Sequence, residues 1–366
     1  MKRIVCALFT ALFFLYNGSA LGAARSAILV ESETGRVLYA QNADEALPMA
    51  STTKVMTALL ALENAALSDR VTAGRNAFGV PGTSIYLTEG ETLTMEQMLY
   101  GLMLSSGNDA AVAIAEHVDG SVDAFCAHMT RRARELGCEN TVFLTPHGLP
   151  KNGHYTTARD LVTIARAAMA HETFRRIVST TKANIPWAGR DFDRVLTNKN
   201  KLLSTYPGAT GVKTGYTAAA GRCLVFSAER DGLSLLGAVL NCPDWFDVSA
   251  AILDEGFAAW RMVTALEQGE IVCEKAVSGG AKDTFSVAAA RAVKAPMRLG
   301  EWPELTVELD PDVAAPLYRG DEVGRVTLSD RGETLLTVPL VAAEDVLTAT
   351  FRTQLRRIGQ GWLAAE

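Results

Sequence analysis

The chain has 366 residues, more than one hydrophobic core usually organises, so we expect at least two domains. Its 35 basic and 41 acidic residues give a net charge of −6, which argues against nucleic acid as a partner. Beyond Cys6, five cysteines remain without the CxxC or CxxH spacing of a zinc site. Five is too few for a disulfide scaffold, although one disulfide bond stays possible. We expect no metal and no cofactor.

Residues 1–24 have the pattern of a secretory signal peptide. Lys2 and Arg3 precede an apolar run over 4–16, which ends in small residues. A membrane-spanning helix needs about 20 apolar residues, and this run is shorter. Cleavage after Ala20 or Ala24 removes two of the 35 basic residues, so 33 remain against 41 acidic ones, a net charge of −8. We therefore expect export to the outer face of the cytoplasmic membrane or the cell wall.

Residues 25–262 predict strands at both ends and helices between them. Runs rich in β-forming residues at 26–30 and 36–40, with a Gly-containing turn between them, predict a hairpin. A buried helix is predicted to begin at Ser51. Further helices are predicted from the capping box Thr94/Gln97 to 105, and at 109–118, 122–136, 158–170 and 244–260. A late hairpin is predicted at 222–229 and 233–241. We therefore expect an α+β fold, in which strands from both ends form one antiparallel sheet flanked by helices.

Residues 263–343 predict a small all-β domain, because short alternating runs are separated by Pro and Gly. Residues 344–366 predict an amphipathic helix. Its apolar residues Phe351, Leu355, Ile358 and Trp362 recur at spacings of four, three and four, and arginines lie beside them. The apolar stripe could pack on the β-domain. Its Trp and Phe beside three Arg in an acidic protein favour a membrane surface instead.

Three short strings carry the chemistry of a serine acyl-transfer site: Ser51-Thr-Thr-Lys54, Ser106-Gly-Asn108 and Lys213-Thr214-Gly215. Ser51 and Lys54 share a helix face, so Lys54 can remove the serine proton once burial and a second positive charge lower its pKa. Lys213 could be that charge, while Ser106 and Asn108 could hydrogen-bond Lys54 and the substrate amide. Backbone N–H groups from the Ser51 helix and the Lys213 strand could form an oxyanion hole.

Other hydrolytic patterns do not compete with these strings. A second Ser-x-x-Lys pattern runs from Ser179 to Lys182, but Pro186 follows closely, so we assign Ser179 to a loop. Neither Gly-x-Ser-x-Gly nor His-Glu-x-x-His occurs in the sequence. His147 and His154 lie in segments rich in Pro, Gly and Asn, and we interpret them as structural or rim residues.

The ordered strings resemble those of the penicillin-recognising serine enzymes. With their flanking residues they are similar to the low-molecular-mass D-alanyl-D-alanine carboxypeptidases of the penicillin-binding protein 5/6 type. The residues that carry this resemblance lie at 48–58, 104–111, 146–149, 157–160 and 211–217. The resemblance covers nearly the whole chain, including the signal, the β-domain and the terminal helix.

The resemblance implies that Ser51 attacks the D-Ala-D-Ala bond of the peptidoglycan stem peptide, with Lys54 as base and Ser106 relaying a proton to the departing D-Ala. Asn108 would hold the acyl side chain. The substrate-binding residues would be Asn108 and the strand residues Lys213, Thr214, Gly215 and Tyr216. Lys213 and Thr214 would bind the terminal carboxylate. The backbone N–H groups of Ser51 and Tyr216 would form the oxyanion hole. β-Lactams would act as inhibitors, and the terminal helix would bind the membrane surface.

Two other functions share these strings. A β-lactamase of the common class uses a glutamate in a Glu-x-x-x-Asn setting between the second and third strings, whereas Glu172 is followed by Arg176. A non-enzymatic penicillin sensor would usually have an N-terminal membrane bundle, and this chain has a short signal. We therefore expect a serine carboxypeptidase.

Overall fold

The computed structural model describes residues 24–352 and residue 355. The predicted signal peptide lies outside these residues, except for Ala24. The chain divides into two compact units, the first ending at Ala258 and the second beginning at Ala259.

The first unit has the strands of its main sheet at both ends and helices between them, as predicted, together with two short strand pairs in the middle that the sequence analysis did not predict. Its strands are β1 (Ser26–Glu31), β2 (Val37–Gln41), β3 (Arg70–Thr72), β4 (Thr92–Thr94), β5 (Lys182–Ile185), β6 (Arg194–Thr197), β7 (Ala209–Thr217), β8 (Gly221–Arg230) and β9 (Leu233–Leu240). Its helices are α1 (Lys54–Asn64), α2 (Met95–Met103), α3 (Asn108–Asp119), α4 (Val122–Glu135), α5 (Ala158–Ala170), α6 (Glu172–Ser179), α7 (Leu202–Thr205) and α8 (Trp245–Ala259).

A five-stranded antiparallel sheet joins the two ends of this unit in the order β2-β1-β9-β8-β7. Every residue of β1 is buried, and β1 pairs with β9 along its length, from Ser26 opposite Leu240 to Glu31 opposite Leu235. The pairing confirms the α+β prediction, because early and late strands share one sheet. It also leaves β7, which carries the third string, at the edge of the sheet.

The helices pack into one apolar core with the sheet, and α1 lies deep within it. All its residues from Lys54 to Ala61 are buried. The predicted capping box is present, because the Thr94 side chain accepts from Gln97 N while Gln97 Oε1 accepts from Thr94 N. Helix α2 ends at Met103, so Ser106 and Gly107 of the second string lie in the loop before α3, and Asn108 is the first residue of α3.

The α-helix predicted from Ser51 begins later, at Lys54. A 3-10 turn, Ala50–Thr53, precedes it. The Thr52 and Thr53 hydroxyls donate to the carbonyl oxygens of Met49 and Ala50 at 2.6 and 2.8 Å. Such local side-chain bonds compete with the α-helical ladder, which explains the tighter turn.

The second unit is built of strands. They are β10 (Trp260–Leu266), β11 (Ile271–Ala276), β12 (Thr284–Ala289), β13 (Val293–Arg298), β14 (Glu304–Leu309), β15 (Glu322–Asp330) and β16 (Glu333–Ala342). They form a sheet in the order β11-β12-β16-β15-β14 and a β10-β13 pair around an apolar core. The predicted all-β character is confirmed.

The prediction of a helix beginning at residue 344 is wrong at its start. Val346 and Thr348 form bridges to Leu317 and Gly280 instead. Val346 is buried in the core of the second unit, which holds this stretch extended. Phe351, Arg352 and Leu355 are helical, and the rest of the predicted helix lies outside the described residues.

Candidate active site

The three strings meet at one cleft of about 720 Å³. The 3-10 turn provides Ser51, the loop between α2 and α3 provides Ser106, and β7 provides Thr214, Gly215 and Tyr216. Residues separated by more than 160 positions therefore line a single space. Two serine hydroxyls and an edge strand, which the sequence analysis assigned to one site, therefore line the same space.

Lys54 lies beneath Ser51 with its side chain buried. Its Nζ lies 2.9 Å from Ser51 Oγ, and it donates to Asn108 Oδ1 at 2.7 Å and to the His147 carbonyl oxygen at 2.8 Å. The two carbonyl oxygens can only accept hydrogen bonds. Of these three partners, the serine hydroxyl is therefore the one that can give Lys54 a proton.

The surroundings of Lys54 favour its neutral form. Burial holds its pKa well below the usual value, and the charges of Lys213 and Lys199 lower it further, while Asp109 opposes them. Burial, helped by Lys199, also lowers the pKa of Lys213 to about 7. A neutral amine beside a serine hydroxyl is a general base.

Asn108 and Lys213 lie behind the cleft. The Asn108 side chain is 3% exposed, accepts from Lys54 and donates from Nδ2 to the Pro81 carbonyl oxygen at 2.7 Å. Lys213 is 1% exposed, and its Nζ donates to the Thr214 carbonyl oxygen at 3.1 Å. In this arrangement both side chains act on Lys54, one by a hydrogen bond and one by its charge.

Strand β7 runs very close to the 3-10 turn. A Cβ atom added to Gly215 would lie 2.8 Å from Ser51 N and 3.0 Å from Thr52 N. Glycine at this position therefore lets the backbone of β7 reach the start of the turn. The N–H groups of Ser51 and of the residue after Gly215 come from these two adjacent backbones, which is the arrangement an oxyanion hole requires.

The segment 144–154 supports the turn from behind, a role that the sequence did not indicate. The His147 carbonyl holds Lys54, as described above. His154 Nδ1 accepts from Leu144 N at 3.0 Å, so its Nε2 carries the proton and donates to Thr53 Oγ1 at 2.9 Å. Burial lowers the pKa of His154 to about 4, so it is neutral near pH 7. The interpretation of these histidines as structural agrees with these bonds, but the sequence does not predict their contacts with Thr53 and Lys54.

A second wall of the cleft was also missed. It is formed by Arg222 at the start of β8 and by the segment 243–247, which leads into α8. Thr83, Lys199, Lys201 and Thr205 complete the lining. No sequence pattern relates these positions to the three strings, because they meet only through the sheet register and the loop between β9 and α8.

The second Ser-x-x-Lys pattern is not part of this site. Ser179 is the last residue of α6, not a loop residue as predicted, and its Oγ donates to the Arg175 carbonyl oxygen at 2.8 Å. Lys182 begins the next strand, so one helix does not carry both side chains, as expected.

The cysteines in the described part of the chain are unpaired, and four of the five are buried. Among the described residues, no group of three or more His, Cys, Asp or Glu side chains is placed to hold a metal ion.

Family models match both units of the chain. A model described as D-alanyl-D-alanine carboxypeptidase, peptidase S11, matches residues 19–244, and one described as the penicillin-binding protein 5 C-terminal domain matches residues 260–348. The first match alone spans more than half of the sequence.

Characterised relatives match along most of their length. The chain is 33% identical to D-alanyl-D-alanine carboxypeptidase DacF of Bacillus subtilis, over 93% of this chain and 90% of the relative. It is 32% identical to D-alanyl-D-alanine carboxypeptidase DacC of Escherichia coli, over 88% of this chain and 84% of the relative. Penicillin-binding protein 5 of Haemophilus influenzae has a similar solved structure, with a TM-score of 0.72, 28% identity and coverage of 89% and 98%. The chain therefore belongs to the peptidase S11 family of penicillin-binding D-alanyl-D-alanine carboxypeptidases.

Proposed function

We propose that this enzyme removes the terminal D-Ala from peptidoglycan stem pentapeptides through an acyl-enzyme on Ser51. The main support for this proposal is the set of three hydrogen-bond partners around Lys54 Nζ. Its protons are directed to two carbonyl oxygens, so the lone pair of the neutral amine faces Ser51 Oγ at 2.9 Å. Ser51 thereby becomes a nucleophile without a histidine.

In the acylation step, Lys54 takes the Ser51 proton as Oγ forms a bond to the penultimate D-Ala carbonyl carbon. The backbone N–H groups of Ser51 and Tyr216 stabilise the oxyanion, usually the largest contribution to the rate. Ser106, which lines the cleft, passes a proton to the nitrogen of the departing D-Ala as the peptide bond breaks. Lys54 then returns a proton to Ser106. Water attacks the ester and gives a proton to Lys54, which passes it to Ser51 Oγ as the acyl bond breaks.

The edge position of β7 supports a peptide substrate. Its partner in the sheet is β8, so its other edge faces the cleft and can pair with an extended stem peptide. Thr214, 6% exposed, lines the cleft where the terminal residue would lie. A β-lactam would occupy the same space and acylate Ser51.

A β-lactamase is the less favoured alternative. It needs a side chain that activates the deacylating water, and Glu172 is exposed at the first residue of α6 and does not line the cleft. We therefore expect slow release of bound penicillin.

The proposed location is the outer face of the cytoplasmic membrane, bound through the C-terminal segment. Within the part of the chain that the structure describes, every helix is too short or too polar to cross a bilayer. Phe351 and Leu355 are exposed apolar side chains at the start of this segment. Deleting 351–366 spares the buried Val346 and should move the protein from the membrane fraction to the soluble one. An unchanged membrane fraction would exclude this anchor.

The function is tested with diacetyl-Lys-D-Ala-D-Ala and a fluorescent penicillin. We expect the wild-type enzyme to release D-Ala and to bind penicillin covalently, and the Ser51→Ala variant to do neither. Rapid penicillin turnover without D-Ala release would instead identify a β-lactamase.

A further inference from the structure

The cleft needs a cation for the carboxylate of the terminal D-Ala, and Lys213 is poorly placed to supply it. Its ammonium group is buried, bonds the backbone of its own strand and does not line the cleft. A substrate carboxylate could reach the Lys213 ammonium group only by giving up its hydration shell. The cleft beside Thr214 nevertheless contains a charged donor on another strand.

That donor is Arg222, the second residue of β8. It lies opposite Tyr216 in the β7–β8 pairing, and Thr214 is two residues further along. Diagonal neighbours on adjacent strands are about 7–8 Å apart, within reach of a long side chain. The side chains of Thr214, Tyr216 and Arg222 all line the cleft.

The guanidinium of Arg222 is held in place from one side. Its Nη1 donates to the Pro243 carbonyl oxygen at 2.6 Å, and its Cζ lies 6.0 Å from the Trp245 ring centroid. Phe246 packs against that ring at 4.8 Å. These contacts use one N–H, so the remaining donors of the planar group stay available to a carboxylate.

Two lysines, Lys199 and Lys201, also line the cleft, and neither belongs to the strand that pairs with β7. Lys199 Nζ contacts Thr83 Oγ1 at 3.4 Å, and its charge acts on Lys54 and Lys213. Lys199 therefore contributes to the field around the base. Arg222 is the cation on the same sheet face as Thr214.

We propose that Arg222, fixed by Pro243 and Trp245, is the residue that recognises the C-terminal carboxylate of the substrate and so makes this enzyme selective for a free chain end. The proposal rests on the proposed function, because it assigns a part of the same substrate. It predicts that Arg222 distinguishes an acid from an amide.

The test compares diacetyl-Lys-D-Ala-D-Ala with its C-terminal carboxamide. Cleavage of either compound yields diacetyl-Lys-D-Ala, which chromatography measures. For the wild-type enzyme kcat/KM should favour the acid. Hydrogen bonds to charged groups are strong, so Arg222→Gln should lower the acid-to-amide ratio about 10- to 100-fold. Arg222→Lys, which keeps the charge without the planar fork, should restore part of the ratio.

Arg230 provides a matched control on the same strand. It too contacts a proline carbonyl, that of Pro207 at 3.2 Å, and lies over the aromatic rings of Tyr206 and Phe257. It does not line the cleft. Arg230→Gln should leave the acid-to-amide ratio unchanged.

Each outcome decides a different question. If Arg222→Gln leaves the ratio unchanged, or lowers both values equally, Arg222 does not read the carboxylate. If the wild-type enzyme cleaves neither compound, the proposed function fails. If it cleaves both equally well, the cleft does not select a free carboxylate, and the inference about Arg222 is overturned while the peptidase activity stands.

Discussion

Gly148 is the position where one added methyl group should most directly disturb the nucleophile. Its φ angle is +87°, and a Cβ atom there would lie 1.8 Å from the Ala50 carbonyl oxygen and 2.4 Å from its carbon. Real Cβ atoms essentially never approach a neighbour more closely than 3.0 Å. Gly148→Ala must therefore displace the carbonyl immediately before Ser51 by about 1.2 Å, the difference between 1.8 and 3.0 Å.

A displacement of that size should mostly affect catalysis. A shift of about 1 Å in a reacting group can cost about 100-fold in rate, so we expect the acylation rate of Gly148→Ala to fall by about that factor. The left-handed backbone adds a penalty of about 1–2 kcal/mol in folding free energy. The assay is the second-order rate of labelling by fluorescent penicillin, normalised to folded protein, with urea unfolding measured in parallel.

Gly153 separates the two effects. Its φ angle is +88°, nearly the same, but a Cβ atom there would meet only a Leu144 methyl carbon at 3.4 Å, an ordinary contact. Gly153→Ala should share the left-handed backbone penalty, without the overlap at Ala50, and keep its acylation rate within a few-fold. If both variants acylate at similar rates, close approach at Gly148 does not position Ser51, and the reasoning is refuted.

Three further predictions follow from buried charges. Lys213→Gln removes a positive charge that lowers the Lys54 pKa, so that pKa should rise and the rising limb of the pH–acylation profile should move to higher pH. Glu91→Gln leaves the Arg194 guanidinium buried without its counter-charge at 4% side-chain exposure, and urea unfolding should show a loss of about 3–5 kcal/mol. Asp109→Asn weakens a carboxylate that accepts from three backbone N–H groups and a serine hydroxyl, so unfolding free energy should fall by about 1–3 kcal/mol for each donor left unsatisfied.

Matched variants check these predictions. Lys199→Gln should shift the acylation profile in the same direction as Lys213→Gln but less, because Lys199 has the smaller effect on Lys54. An unmoved limb, or one moved to lower pH, contradicts the assignment of Lys54 as base. Asp44→Asn breaks an exposed pair with Arg159 and should change stability by no more than about 1 kcal/mol. If Glu91→Gln and Asp44→Asn lose similar unfolding free energy, burial of the Glu91–Arg194 pair adds no penalty for removing its counter-charge.

Local patterns account for much of the first unit. Thr94 and Gln97 specify a capping box through backbone geometry alone, and the structure contains both of its hydrogen bonds. The start of α1 was predicted less well, because two threonine hydroxyls replace part of the helical ladder. Local patterns fail near the C-terminus. The sequence predicts a helix from residue 344, but the burial of Val346 in the core of the second unit holds that stretch extended.

The sequence by itself indicated the chemistry of this enzyme, because the order and spacing of Ser51, Lys54, Ser106 and Lys213-Thr214-Gly215 predict a hydroxyl, its base and a binding strand. Only the tertiary structure decided what surrounds them. The His147 carbonyl, the glycine contact at Gly148 and the Arg222 wall come from segments with no fixed spacing to the strings. They converge because strand register and loop packing are set by the whole core, and the charges of Lys213 and Lys199 act on Lys54 only because the fold brings these distant segments together.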